Sequence, residues 1–213
     1  IGLSTKEDIT FYGHHFGEKF GSSISSGDFT GDGKTDLAVS AYLAHFDELS
    51  QVGKVYIYYG VKKFPSAVKV KDIAFHGTKE REWFGFDLDI KDINGDGKDD
   101  IAITSLPLNG NRADGKVSIF YGRKKFFDDI SPAITISDPI NQSLIGADVI
   151  LADLEGDGGA DIIIGAPGIS SLKSNDAGDV YIIYGSKEDF KPYYSIESFN
   201  MDSLINGEDF DDW

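Results

Sequence analysis

Three nine-residue stretches carry oxygen-bearing side chains at one repeated spacing. They are Asp28-Phe29-Thr30-Gly31-Asp32-Gly33-Lys34-Thr35-Asp36, Asp92-Ile93-Asn94-Gly95-Asp96-Gly97-Lys98-Asp99-Asp100 and Asp153-Leu154-Glu155-Gly156-Asp157-Gly158-Gly159-Ala160-Asp161. Positions 1, 3, 5 and 9 hold Asp, Asn, Thr or Glu in every copy, and position 6 is always glycine. The chemistry such a pattern serves is coordination of a hard divalent cation. Calcium takes roughly six to eight oxygens at about 2.3–2.6 Å, and alternate residues of a tight loop can aim oxygens at one centre while position 7 offers its backbone carbonyl. Glycine at position 6 permits the sharp turn, because it takes a positive φ without steric cost. The apolar residues at position 2 (Phe29, Ile93, Leu154) are expected to pin each loop to the core.

A solvated Asp/Gly turn would account for one such stretch, but three copies on a fixed period outweigh that reading. An EF-hand loop ends in a bidentate Glu at its twelfth position and lies between helices. Here the twelfth residues are Val39, Ile103 and Ile164, inside the β-type runs Leu37-Ala38-Val39, Ile101-Ala102-Ile103 and Ile162-Ile163-Ile164. The ninth-position Asp must therefore close the site, and the flanking elements are expected to be strands.

Composition narrows the possible partners. The 213 residues are 40% hydrophobic, enough for a substantial core. With 36 acidic against 20 basic residues the formal charge is −16, which argues against nucleic acid or an anionic membrane surface as a partner. Much of that excess sits in the three loops, where about three bound Ca²⁺ ions would offset it. The absence of cysteine removes disulfides, thiolate zinc sites and cysteine nucleophiles together. The sequence contains no eighteen-residue apolar run and no signal-peptide pattern, so no direct membrane insertion is expected. It begins at Ile1 without Met, as expected of a processed form or a piece of a longer chain.

The elements that position the loops repeat as well. Asp28, Asp92 and Asp153 are 64 and 61 positions apart, and Gly60, Gly122 and Gly185 are 62 and 63 apart. Each unit opens with an apolar residue and glycine (Phe20-Gly21, Phe84-Gly85, Ile145-Gly146), enters the acidic loop and leaves it through a short buried strand. A variable polar loop follows, then a longer β-run ending in Tyr-Gly: Lys54 to Gly60, Lys116 to Gly122 and Asp179 to Gly185. Both faces of these runs are apolar or aromatic, the pattern of a sheet covered on both sides. A fourth, more polar strand is expected around Val68 to His76, Ala133 to Ser137 and Tyr194 to Ile205.

Four antiparallel strands per unit with no amphipathic helix describe propeller blades. The fold is therefore all-β: about three four-stranded blades plus one extra outer strand. Residues 1–19 form the outer strand of a preceding or closing blade, 20–76 blade A, 77–137 blade B, 138–205 blade C, and 206–213 the start of a further blade. Three blades fall short of the four to eight that typically close a ring. The remaining blades are expected from the same or another chain.

These units resemble the FG-GAP repeats found in integrin α-subunits and in glycosylphosphatidylinositol-specific phospholipase D. Phe20-Gly21 and Phe84-Gly85 match one half of that motif and Gly165-Ala166-Pro167 the other, while Ile145-Gly146, Ser40-Ala41-Tyr42 and Ser105-Leu106-Pro107 depart from it. The resemblance implies a seven-bladed ring with calcium in hairpins on one face and partners on loops of the opposite face. It also implies the ligands: Asp28, Thr30, Asp32, the Lys34 carbonyl and Asp36 in the first loop; Asp92, Asn94, Asp96, the Lys98 carbonyl and Asp100 in the second; Asp153, Glu155, Asp157, the Gly159 carbonyl and Asp161 in the third. Glu155 is a methylene longer than its counterparts and adds a fourth carboxylate to its loop. The function implied is a calcium-binding module for protein–protein interaction or cell adhesion, placed outside the cell or at its surface. Alternatives are a non-catalytic appendage of a secreted or surface hydrolase, and a carbohydrate-binding propeller.

No other residues compete with this reading. His76 aligns with Tyr12 and Asn206 at an outer-strand end, and His14-His15 follow Gly13 in a loop, so structural or solvent-facing roles are expected. No Gly-x-Ser-x-Gly elbow or other nucleophile context occurs, and the segment is expected not to be an enzyme. The connections Ala44 to Val52, Thr78 to Trp83, Leu108 to Asp114 and Gly168 to Ala177 vary on a repeated frame, as an interaction surface would. Asn141-Gln142-Ser143 is a glycosylation sequon if the chain is secreted.

Overall fold

The computed structural model describes residues 9–61, 67–69, 73–107, 115–124, 131–138, 143–168, 178–185, 192–195 and 203–206. Strands account for all the regular structure among them, in the order β1 (Thr10–Tyr12), β2 (Phe20–Gly27), β3 (Asp36–Ala41), β4 (Lys54–Tyr58), β5 (Ala67–Lys69), β6 (Ile73–His76), β7 (Phe84–Lys91), β8 (Asp100–Ser105), β9 (Lys116–Phe120), β10 (Ile134–Ser137), β11 (Asp148–Ala152), β12 (Asp161–Ala166), β13 (Asp179–Ile183), β14 (Tyr193–Ser195) and β15 (Ser203–Asn206). Three antiparallel sheets result, ordered β2-β3-β4-β6, β7-β8-β9-β10 and β11-β12-β13-β15. They are called blades A, B and C. β7 lies against β2 on one side and β11 on the other, so the blades follow one another face to face around an open, partial ring.

Burial follows from the double-sided apolar strands. One apolar cluster fills the space between blades A and B, with Ala38, Val55, Ile57 and Phe75 from the first facing Leu88, Ile90, Ile101, Ile103 and Phe120 from the second. A second lies between B and C, where Ala102, Val117, Ile119, Ile134 and Ile136 meet Val149, Leu151, Ile162, Ile164 and Tyr181. The first two units open with a bulge: pairing of β2 with β3 slips between Phe20 and Ile24, and pairing of β7 with β8 slips between Phe84 and Leu88. Gly85 takes φ 82°, and a Cβ there would stand 2.9 Å from Val55 Cγ2 and 3.3 Å from the Lys54 carbonyl. Glycine thus serves both the turn and the close approach of blade B to blade A. The residue two positions before this glycine is left-handed in every unit although it is never glycine: Lys19 at 61°, Trp83 at 54° and Leu144 at 56°.

The polar fourth strands differ from expectation. The stretch around Val68 to His76 is two strands, of which only β6 closes blade A. β5 pairs in parallel with β1, Thr10 opposite Ala67. The stretch from Tyr194 to Ile205 divides in the same way: β14 joins blade B by pairing in parallel with β10, and β15 closes blade C. In units A and C the chain after its third strand therefore first lays a short parallel strand on the preceding unit, β5 on β1 and β14 on the outer edge of blade B. That edge presents unpaired backbone groups, and the added strand pairs them. Blade B so acquires a fifth strand, and neighbouring blades are laced together at the rim.

The inner edge is covered by side chains. β7 carries Asp87 and Asp89 two residues apart, so both point from one face of the strand. Asp87 accepts hydrogen bonds from Ser23 Oγ of β2 at 2.9 Å and from the Val149 amide of β11 at 2.9 Å. Asp89 repeats this with Ser25 Oγ at 3.0 Å and the Leu151 amide at 2.8 Å. Two carboxylates of the middle blade thus tie the inner strands of all three.

Candidate metal centre

All three acidic loops join the first strand of a blade to the second, and so lie at the same end of each sheet. The position-6 glycines are left-handed as expected, with φ 81° at Gly33, 82° at Gly97 and 94° at Gly158. Position 4 is under the same constraint, at 66° for Gly31, 70° for Gly95 and 76° for Gly156.

The first aspartate of each loop folds over its own backbone. Asp92 Oδ1 accepts the Gly95 amide at 2.7 Å and Oδ2 accepts the Gly97 amide at 2.8 Å. Asp153 repeats the arrangement with the amides of Gly156 and Gly158 at 2.6 and 3.0 Å. Asp28 takes the amides of Asp32 and Gly33 at 3.0 and 2.7 Å. At position 3, Thr30 Oγ1 lies 3.5 Å from Asp28 Oδ1, Asn94 Oδ1 accepts the Asp96 amide at 3.0 Å, and Glu155 is exposed. These bonds fix the course of each loop before any ion is considered.

The ninth-position carboxylate is the buried floor of each loop. Asp36, Asp100 and Asp161 are at most 1% exposed. The Tyr-Gly glycine explains itself here. The amides of Gly60, Gly122 and Gly185 donate to Oδ1 of Asp36, Asp100 and Asp161 at 2.7, 2.8 and 2.8 Å. A Cβ at these glycines would stand 2.2–2.4 Å from a loop carbonyl oxygen. The second oxygen accepts the amide of Ile93 (3.0 Å) in the second loop and of Leu154 (2.7 Å) in the third. In the first loop, Asp36 Oδ2 is buried and has no hydrogen-bond partner. Burial pushes the Asp36 carboxyl above the usual range and that of Asp100 to about 7, the other aspartates of each loop adding to the shift.

At position 5 the loops diverge. Asp32 accepts the Lys34 amide at 2.9 Å and forms a salt bridge with the Lys34 ammonium, which lowers its pKa. Asp96 does the same with Lys98, amide at 2.9 Å and ammonium at 2.7 Å; burial raises its pKa, and the lysine outweighs that and lowers it. Asp157 receives only the Gly159 amide, at 2.8 Å, because position 7 there carries no side chain.

Neighbouring loops are joined. The Asp99 amide donates to the Asp28 carbonyl at 3.1 Å while its Oδ2 accepts the Asp28 amide at 2.6 Å. The Ala160 amide donates to the Asp92 carbonyl at 3.1 Å. Asp99 thus joins two loops, a contact that motif reading passes over. Its only mark in the sequence is a second aspartate beside Asp100.

Position 2 departs from expectation in one loop. Phe29 and Ile93 are fully buried under the following blade, whereas Leu154 is 54% exposed. It extends from the face of blade C that no described sheet covers, the face on which Ile150 is 47% exposed.

Each loop therefore holds its ligand candidates along a single turn. Among the described residues, however, no group of three or more His, Cys, Asp or Glu side chains is gathered as a set that could hold a metal ion. The donor chemistry fits a hard cation: every candidate atom is oxygen, and the unpartnered Asp36 Oδ2 is the kind of buried acceptor that a cation satisfies.

The residues outside the loops bear on other readings. All four histidines are exposed. At the opposite end of the blades from the acidic loops, the 44–52 connection packs on 78–83: Arg81 and Trp83 amides donate to the Ser50 and Gln51 carbonyls at 2.9 and 3.3 Å, and Ser50 Oγ donates to Glu80 at 2.6 Å. Tyr42, Trp83 and Phe86 form an aromatic group beside them. Leu108 to Asp114, Gly168 to Ala177 beyond its first residue, and Asn141-Gln142 lie outside the described residues. Among the described residues no helix is long and apolar enough to cross a membrane.

Comparison with known proteins agrees with the geometry. The FG-GAP repeat model matches residues 20–58, and the FG-GAP-like repeat model matches 92–164. The chain is 31% identical to integrin alpha-PS5 of Drosophila melanogaster over 81% of its own length and 17% of the relative's. It is 31% identical to integrin alpha-IIb of Mus musculus, covering 76% of this chain and 16% of that one. It is also 31% identical to phosphatidylinositol-glycan-specific phospholipase D of Rattus norvegicus, covering 70% and 18%. The chain thus spans less than a fifth of each of these relatives. Acidic loop and antiparallel sheet recur together within the matched stretches, and by motif and architecture alike the chain belongs to the FG-GAP repeat propeller family.

Proposed function

We propose that this is a calcium-binding propeller module that presents the loops at its other end to a protein partner, outside the cell or at its surface. The residues that would hold the ions are Asp28, Thr30, Asp32, Lys34 O and Asp36; Asp92, Asn94, Asp96, Lys98 O and Asp100; and Asp153, Glu155, Asp157, Gly159 O and Asp161. The ion would supply positive charge to loops whose buried carboxylates lack it. The observation that carries this reading is Asp36, buried in an all-oxygen loop with one oxygen unpartnered. The integrin relatives support a role in adhesion or assembly. In this reading 20–76, 77–137 and 138–205 are successive blades, and further blades of the same or another chain cover the exposed Ile150 face.

A second reading, favoured by the phospholipase relatives, makes the module a non-catalytic part of a hydrolase. Calorimetric titration of the chain with Ca²⁺ tests the shared element. Saturable uptake that Asp32→Ala, Asp96→Ala and Asp157→Ala each reduce by one site is expected, and absence of heat at millimolar Ca²⁺ overturns it. Hydrolysis of a phosphodiester by the chain, lost on a single side-chain change, would make it an enzyme.

A further inference from the structure

The position-7 residue differs among the three loops, and the difference lies in charge. Lys34 and Lys98 each curl back through two residues to place an ammonium on the position-5 carboxylate of their own loop. Gly159 leaves Asp157 without a cation, in the loop that has a fourth carboxylate at Glu155. Space does not forbid a side chain at Gly159: a Cβ there would come no closer than 3.4 Å to any neighbour, and its φ lies outside the left-handed region. Lys98 is further held in place because its stem lies along loop A, where a Cβ on Gly31 would meet Lys98 Cγ at 2.9 Å.

We propose that Lys34 and Lys98 are tethered counter-cations that occupy the position-5 carboxylates of the first two loops and weaken calcium binding there, whereas the third loop binds without such a competitor. This rests on the calcium reading above. Before Asp32 or Asp96 can turn to an ion, its lysine must leave, and the displaced ammonium stays within a few ångströms of the new charge. Removing one positive charge at that range tightens a divalent ion by roughly three- to tenfold in partly screened surroundings. Ligand charge count is a known determinant of affinity in such loops.

Calorimetric Ca²⁺ titration of the full chain at low and high KCl tests the proposal with Lys34→Met and Lys98→Met, which keep the aliphatic stem, and Lys34→Arg and Lys98→Arg, which keep the charge. Each Met variant is expected to tighten one site about three- to tenfold at low salt and less at high salt, while the Arg variants stay near the parent. Gly159→Lys should weaken one site by a comparable factor. Unchanged affinities in both Met variants overturn the proposal while leaving calcium binding intact. Absence of calcium uptake by the parent chain overturns both.

Discussion

Chelating calcium will lower the melting temperature of this protein by well over 10 °C. The ninth-position aspartates are buried, and burial pushes those of the first two loops up in pKa, so their ionised form is disfavoured until a cation joins it. An ion that binds the folded loop and not the unfolded chain adds about 4 kcal/mol per site when free Ca²⁺ is a thousand times Kd. For a chain of this size, 1 kcal/mol moves the melting temperature by about 2–4 °C, so even one loop accounts for roughly 10 °C. Differential scanning calorimetry in millimolar Ca²⁺ and in excess chelator measures the shift. Identical melting curves would remove the ions from any structural role. Magnesium should protect less, because its near-octahedral preference suits these loops poorly.

The second large effect is expected far from the loops. Replacing Asp87 and Asp89 together by alanine removes four hydrogen bonds between blades and leaves the Val149 and Leu151 amides without an acceptor. Hydrogen bonds to a charged group contribute about 1.5–3 kcal/mol each when buried. Both aspartates are half-buried, so a total loss of roughly 3–4 kcal/mol is the reasonable expectation. Urea unfolding measures it, and the Asn pair, which keeps an acceptor at each site, should recover about half. A double-alanine variant within 1 kcal/mol of the parent would show that apolar packing alone holds the blades in register. The calcium isotherm should be little changed in either case, because β7 carries these residues outside the loops.

Much of this arrangement is legible in the sequence because the unit repeats. A period near 62 residues, Tyr-Gly ends and apolar twelfth positions suffice to place β3, β8 and β12 after the loops and β4, β9 and β13 beyond them. What escapes is pairing between units. β5 and β14 read as the first halves of polar closing strands, and nothing in their composition says that they pair with the preceding sheet. Asp87 and Asp89 stand in plain alternation with Leu88 and Ile90, yet only the neighbouring strands reveal that they bind amides across the blade boundary. Leu154 matches Phe29 and Ile93 in type and position and differs only in what lies over it. In the loops, the motif marks the glycines that prove left-handed, while the contacts of Asp99, Lys34 and Lys98 are ones that no spacing encodes.

The most direct test is to diffract crystals grown in Ca²⁺ at a wavelength where calcium scatters anomalously. Three peaks are expected, one per loop, each within about 2.3–2.6 Å of the side-chain oxygens at positions 1, 3, 5 and 9 and the carbonyl at position 7. Loops without a peak, with Asp92 still holding the amides of Gly95 and Gly97 and Lys98 still on Asp96, would contradict calcium binding outright.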